Sequence, residues 1–313
     1  MATNLLATKD PLVFNVFKPA NISSFDVIRV FKKSFGKSLG KIGHFGTLDP
    51  FACGVLLIGT GGAARLNDYV HELMPKTYLA VGKLGQETDT GDFTAPVTQR
   101  DESSYLEQTI SKMTPAFIEE QLKSKFLGSY MQAPHKYSAA KHEGKKLLEW
   151  AREGVEIKKE PKERFISSLE VVKYEFPYLS IRFTVSSGTY IRTLFSECAN
   201  HLGTIGSLVS LVRERIGHIS SQTSLMKKDW PKDGHWDYRA AALSVGETLP
   251  LPKVFFEEKE AKLLSNGVAL RKERAKSQDL ADSNLFWAYD EEENLLALTR
   301  LTDGEWKVQV NFS

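Results

Sequence analysis

Residues 179–185 alternate without a break, with Leu179, Ile181, Phe183 and Val185 on one side and Ser180, Arg182 and Thr184 on the other. A period of two marks a strand with one buried face. Residues 165–174 predict its partner, and the same rhythm runs through 76–85 and through Trp306, Val308, Val310 and Phe312. Apolar runs predict further strands at 12–17, 55–58, 285–289 and 295–300. Helical spacing takes over at Val27, Ile28 and Phe31, at Leu66, Tyr69, Val70 and Leu73, and at Phe117, Ile118, Leu122 and Phe126. Ser24 is the expected N-cap of the first of these helices, and Gly36 its end. Thr114-Pro115 supplies a cap and first position for the third. Another helix runs to His201 and stops at Gly203, and a short one through Ala261, Leu263 and Leu264 is capped by Gly267. Residues 96–109 read as a polar linker. Residues 230–252 are irregular and end in Leu249-Pro250-Leu251-Pro252, which places a domain boundary between 1–249 and 250–313.

Composition narrows this little. The chain has 313 residues, 42% hydrophobic and 26% charged, as in a globular protein of one large domain or two. A net charge of +2 is too mild to prove a polyanionic partner, so any nucleic-acid footprint must be local. Two cysteines, Cys53 and Cys198, build neither a zinc site nor a disulfide framework; both sit in apolar contexts, as small core residues of a reducing compartment do. No signal peptide, membrane-length apolar run or repeat is visible, and a cytoplasmic protein is expected.

The candidate chemistry centres on residues 41–59. Gly43 and Gly46 permit unusual backbone angles, Pro50 pushes Asp49 toward an extended conformation, and Gly54 opens the apolar run 55–58. One carboxylate therefore stands at a tight turn leading into the core, although Asp-Pro is also an ordinary turn. Asp89 and Asp92 lack the ligand spacing of a calcium loop and read as a solvated turn. Residues 131–146 hold Lys136, Lys141, Lys145 and Lys146 with a single acid, a pattern usual for a solvated face. Arg192 stands at the start of a helix, where the helix dipole disfavours a cation, so an anionic partner is expected. Residues 271–276, with Arg271 and Lys272, are basic.

The stretch Gly-His-Phe-Gly-Thr-Leu-Asp-Pro-Phe-Ala-Cys-Gly-Val-Leu at 43–56 closely resembles the active-site motif of the TruB family, bacterial tRNA pseudouridine-55 synthases. Four further segments resemble that family's motifs in order. Lys18-Pro19-Ala20-Asn21-Ile22-Ser23-Ser24 resembles Lys-Pro-x-Gly-x-Ser-Ser, with Asn21, tolerant of a left-handed backbone, replacing Gly. Lys76-Thr77-Tyr78 and the Thr88-Asp89-Thr90 loop resemble the second motif. Residues 132–144 resemble Gln-x-Pro-Pro-x-Tyr-Ser-Ala-x-Lys-x-x-Gly, with His135 for the second Pro, and residues 186–194 resemble Ser-x-Gly-Thr-Tyr-Ile-Arg-x-Leu. Leu211-Val212-Arg213 only partly matches a following Leu-Arg-Arg, and Arg213 is given no catalytic role.

The resemblance implies an α+β pseudouridine synthase fold. It has a central mixed, mainly antiparallel sheet flanked by helices, a thumb insertion at about 128–154, and a small C-terminal β-rich PUA-like RNA-binding domain. It implies Asp49 as the catalytic carboxylate, Tyr78 packed on the target base and Arg192 paired with Asp49. An arginine so placed would favour the charged form of the acid despite burial. His44, Tyr190, Lys136, Lys141, Arg271 and Lys272 are the implied RNA-binding residues, with Lys18 and Pro19 supporting the site from beneath. The implied partner is the tRNA T stem-loop, met by a monomer with no metal, cofactor or membrane. Breaking the N1–C1′ bond, turning the uracil and rejoining it through C5 neither gains nor loses atoms, so no cofactor is required. A glycosidase, which usually needs a second carboxylate, fits less well because the motifs offer none. The competing readings are a non-catalytic tRNA-binding or folding factor and a guide-RNA-dependent rRNA pseudouridine synthase.

Overall fold

The computed structural model describes residues 11–35, 40–135, 137, 141–155, 157, 159–232, 236–276 and 283–312. Nine strands form the larger sheet: β1 (Leu12–Lys18), β2 (Ile42–His44), β3 (Cys53–Thr60), β4 (Lys76–Leu84), β5 (Gly128–Gln132), β6 (Lys162–Glu175), β7 (Tyr178–Val185), β8 (Gly206–Ile216) and β9 (Ile219–Ser220). Their order is β1-β3-β8-β4-β7-β6-β5, with β2 paired to β3 and β9 to β8. Neighbours run antiparallel except β3 and β8, which meet in parallel at Cys53–Val212 and Gly54–Arg213.

The alternation of β7 does what its sequence requires. Leu179, Ile181, Phe183 and Val185 are all buried, against helices α2 (Pro115–Phe126) and α3 (Ile191–His201). Thr114 caps α2, accepting from the Phe117 amide at 3.2 Å. On the other side of β1 and β3, helix α1 (Ser24–Phe35) buries Val27, Ile28 and Phe31 against Phe14, Val16, Leu56 and Ile58.

The cap of α1 differs from expectation. Ser23, not Ser24, accepts from the Asp26 amide at 3.1 Å, while the Asp26 carboxylate accepts from the Ser23 amide at 2.9 Å. Ser24 is freed for another task. Its hydroxyl accepts from the Leu48 amide at 2.9 Å and donates to the Leu48 carbonyl at 3.2 Å, tying the helix to the residue before Asp49.

Three elements leave no mark in the sequence pattern. Strand β8, central in the sheet, carries irregular pairing between Leu208 and Ser210 and between Arg213 and Arg215. Such bulges break the period of two that would have announced it. Within the expected linker 96–109, Val97–Arg100 pairs with Gln86–Thr88, and a helix spans Ser104–Gln108. All four residues of the strand are exposed, so no apolar pattern marks it.

Five strands form the second sheet: β10 (Lys253–Phe255), β11 (Leu270–Arg271), β12 (Leu285–Tyr289), β13 (Leu295–Thr302) and β14 (Glu305–Asn311), in the order β10-β12-β13-β14-β11. Helix α4 (Glu258–Ser265) contributes Ala261 and Leu264 to its core. This is a C-terminal β-rich module with one helix. It is not packed alone: Trp287, Leu298 and Val310 share a buried cluster with Val13, Phe45, Val55 and Leu57 of the first sheet region. The indole of Trp287 also donates to the Leu249 carbonyl at 3.1 Å, across the expected boundary.

Gly54 fixes the approach of β8 to β3. It has φ +114°, and a Cβ there would run into the backbone of Arg213. Gly54→Ala should destabilise the fold by about 2–4 kcal/mol, combining backbone strain with overpacking. Urea denaturation checks this, and an unchanged midpoint would refute the close approach.

Candidate active site

Asp49 lies in a turn held from three sides. From beneath, the buried Lys18 ammonium donates to the carbonyls of Ile22 at 2.7 Å, Pro19 at 3.0 Å and Pro50 at 3.2 Å. Asn21 adopts φ +67°, as expected of its substitution for Gly, and its amide donates to the Pro50 carbonyl at 2.8 Å. From the side, Ser24 grips Leu48. From behind, the buried Arg213 guanidinium donates to the carbonyls of Val55 at 2.7 Å, Gly46 at 3.0 Å and Thr47 at 3.4 Å. The incomplete motif around Arg213 conceals this role, which is to pin the turn. Of the two glycines singled out, Gly46 takes a positive φ of 104°, while Gly43 is not among the positive-φ residues.

Arg192 meets Asp49 in a bidentate pair, Nε to Oδ2 at 3.0 Å and Nη2 to Oδ1 at 3.1 Å. The anionic partner expected for an arginine at this helix start is thus present, and there are two. Nη1 also reaches Asp92 Oδ2 at 3.4 Å and the Thr90 carbonyl at 2.8 Å, and Nη2 reaches the Tyr137 carbonyl at 3.2 Å. Asp92 is therefore not in a solvated turn: it is 3% exposed, and its other oxygen accepts from the Thr94 amide at 3.0 Å. It is also the second carboxylate that the motifs did not offer.

Asp49 and Arg192 line one cleft of about 260 Å³ together with Tyr78, Tyr190, Tyr137, Ser187, Gly188 and Lys76. Tyr78 comes from β4, next to Phe183 and Arg213 in register. The Tyr190 backbone is clamped by Gln132 of β5, whose side chain accepts from the Tyr190 amide at 2.8 Å and donates to its carbonyl at 3.1 Å. Gln132 is buried and fixes where α3, and hence Arg192, begins. Lys76, buried under the cleft, donates to the carbonyls of Met74 at 2.7 Å and Val70 at 3.1 Å and to the Ser187 hydroxyl.

The remaining expected residues fall elsewhere. His44 is on β2 and is not among the cleft-lining residues; its Nδ1 is buried without a partner, and burial followed by the charges of Arg213 and His71 lowers its pKa. Arg271 and Lys272 are exposed on the C-terminal module. Of their neighbours, Arg274 pairs with Glu260 at 3.3 Å, and Lys276 pairs with Glu257 and Glu291, so half of that basic run is neutralised internally. Lys136 lies outside the described residues, and of Lys141 only the backbone lies within them, in the short strand Lys141–His142. Pro19 follows β1 and contributes its carbonyl to Lys18. Burial pushes both thiols, Cys53 and Cys198, up; Cys198 is a core residue as expected, while Cys53 is only partly buried.

The electrostatics depart from expectation in one respect. The sequence leads one to expect that Arg192 holds Asp49 in its charged form despite burial. Crowding by protein instead raises the Asp49 pKa, and Arg192 only partly opposes this, with Asp92 adding to the rise. The side chain keeps 36% of its surface open to the cleft. Burial likewise lowers Lys18 to about 8 and Lys76 to about 7.

A turn-borne carboxylate gripped by arginine, sharing a cleft with a tyrosine from a central strand of a mixed sheet, is the layout of an enzyme site. The model of the TruB family pseudouridylate synthases (N-terminal domain) matches residues 32–191. A tRNA pseudouridine synthase B of Clostridium tetani is 35% identical over 266 residues, 84% of this chain and 86% of that protein. One of Dehalococcoides mccartyi is 33% identical over 297 residues, 94% of each. The chain belongs to the TruB family. Its fold matches the structure of an H/ACA RNP bound to a substrate RNA containing 2′-deoxyuridine, with a TM-score of 0.69, 22% identity and coverage of 96% of this chain and 85% of that one. A Cbf5-Nop10-Gar1 complex matches with a TM-score of 0.69, 22% identity and coverage of 96% and 84%.

The raised pKa of Asp49 carries a sign. The folded protein holds this proton more tightly than the unfolded chain, so the contribution to stability is present below the ordinary value of 3.8 and is lost as pH rises through the raised value. Asp49→Asn removes that loss. The variant should melt no lower than wild type at neutral pH, with the difference shrinking as pH falls. A lower melting temperature confined to neutral pH would show that the Arg192 pair outweighs burial.

Proposed function

We propose that this pseudouridylate synthase isomerises the T-loop uridine at position 55 of tRNA, with Asp49 as the catalytic carboxylate. The observation that carries this is the bidentate Arg192–Asp49 pair at the wall of a cleft that also holds Tyr78. The names of the relatives supply the substrate class.

A uridine inside a folded loop must leave its stack, at a cost of a few kcal/mol, to reach a carboxylate at this depth. Tyr78 faces the extruded uracil. Asp49 holds the detached state, by attack at C1′ or C6 or by taking a C2′ proton. The base turns, C5 bonds to C1′, and the C5 proton leaves as N1 gains one. Each route starts from ionised Asp49, so activity falls as pH drops through its raised pKa. Arg192 favours that ionised form and fixes the direction of both oxygens. His44, at the end of β2 and two residues before the cleft-lining Gly46, braces the space the base vacates.

RNA is held outside the cleft by basic groups at 131–146 and by Arg271 and Lys272, within a C-terminal PUA-like module (250–313) that serves the catalytic module (1–249). The protein acts as a cytoplasmic monomer on the T stem-loop, without metal or cofactor. The guide-RNA-dependent alternative takes no support from the H/ACA structures, whose identity to this chain is 22% and reaches the fold alone.

Asp49→Asn should leave less than about a tenth of wild-type tritium release from C5-labelled tRNA while binding tRNA with little loss, because phosphate contacts dominate affinity. Release from wild type on a bare T stem-loop would exclude a guide requirement; its absence there, with release from neither RNA, would favour a binding factor. Arg271→Ala with Lys272→Ala should weaken tRNA binding and reduce the slope of log affinity against log salt by about 1 for each phosphate that is no longer neutralised. An unchanged slope would remove the C-terminal module from the interface.

A further inference from the structure

Arg164 of β6 belongs to no motif singled out in the sequence. Its side chain crosses from the sheet to the loop 186–190, the loop that forms one wall of the cleft. Its guanidinium lies on Gly188: a Cβ there would stand 3.2 Å from Cζ and Nη2 and 3.3 Å from Nη1. Gly188 itself takes φ +80°. The group is half-buried, yet its donors are nearly idle. Nη1 makes one long bond, 3.5 Å, to the Ser187 carbonyl. Nε is buried with no partner. Among the described residues no carboxylate pairs with it, whereas Arg192 and Arg182 each have two and Arg274 has one.

A guanidinium offers five donors in a planar fork and is always charged. Holding such a fork half-desolvated with one poor bond costs stability unless an anion arrives. Arg164 is not itself a cleft-lining residue but touches Gly188, which is. It therefore stands on the rim, beside the wall that ends in Tyr190 and Arg192. We propose that Arg164 binds a backbone phosphate of the RNA next to the nucleotide that enters the cleft. The inference rests on the RNA-modifying reading above. The absent Gly188 Cβ lets the fork lie flat at the rim, and the missing carboxylate leaves it open to a phosphate pair of oxygens, the geometry that a bidentate arginine matches. Phosphate contacts of this kind set the register of an RNA without reading its sequence.

The test measures binding and turnover separately, on a bare T stem-loop RNA over a salt series, for wild type, Arg164→Gln and Arg164→Lys. Arg164→Gln should raise Kd at least fivefold and reduce the salt slope by about 1, with kcat at saturating RNA within about twofold of wild type. Arg164→Lys should restore the slope but only part of the affinity, since it keeps the charge and loses the fork. An unchanged Kd and slope in Arg164→Gln overturns the proposal. So does a fall in kcat at unchanged Kd and slope, which would mean that Arg164 merely shapes the loop. Melting curves of all three proteins identify a folding defect, and Arg164→Lys then decides: wild-type affinity refutes the bidentate phosphate contact. Loss of tritium release in wild type would instead sink the catalytic reading, and the binding data would still judge Arg164.

Discussion

A single guanidinium shared between two carboxylates sets the terms for the rest of this structure. Arg192 is 7% exposed at its side chain, and a charge so placed is tolerated only when its donors are met. Asp49, Asp92 and the carbonyls of Thr90 and Tyr137 meet them. Those groups belong to the turn before β3, the loop after β4 and Tyr137 beyond β5, while Arg192 itself opens α3. Remote segments are thus drawn to one point by an electrostatic requirement, and the hydrophobic cores on either side need only keep them near it.

The cations beneath the cleft follow a different rule. Lys18, Lys76 and Arg213 are satisfied chiefly by backbone carbonyls, with no carboxylate partner among the described residues. Carbonyl dipoles orient a buried cation without cancelling its charge. The turn bearing Asp49 therefore rests on two of these groups, Lys18 and Arg213, that its own backbone helps to hold in place. Burial works against the charged form of Asp49, and Lys18 and Arg192 work for it. The carboxylate that results is poorly solvated but not abandoned, a condition suited to reaction rather than to stability.

Much of this is legible in the residues. The alternation of β7, the apolar run of β3 and the capped α2 follow from local pattern, and the arginine at the start of α3 announces an acidic partner by its conflict with the helix dipole. Asp92 escapes such a reading because a Thr-Asp-Thr-Gly-Asp loop looks solvated until α3 is laid against it. Gln132 and Arg213 escape it for a related reason: their work is to hold backbone, and a backbone acceptor leaves no trace in sequence. Strand β8 is hidden by its own bulges. What sequence shows is periodicity and chemical type; what it conceals is which polar groups the fold encloses.

The cluster that joins Trp287, Leu298 and Val310 to Phe45, Val55 and Leu57 has a consequence for measurement. Val55 and Leu57 belong to the strand that leaves the Asp49 turn, so the C-terminal sheet is seated on the strand that directly follows the carboxylate. Because the two share one core, the span from the exposed Arg271 and Lys272 to Asp49 is a fixed length. An RNA arm that reached both ends would be gauged as by a caliper, and the nucleotide presented to the cleft would be set by its distance along that arm.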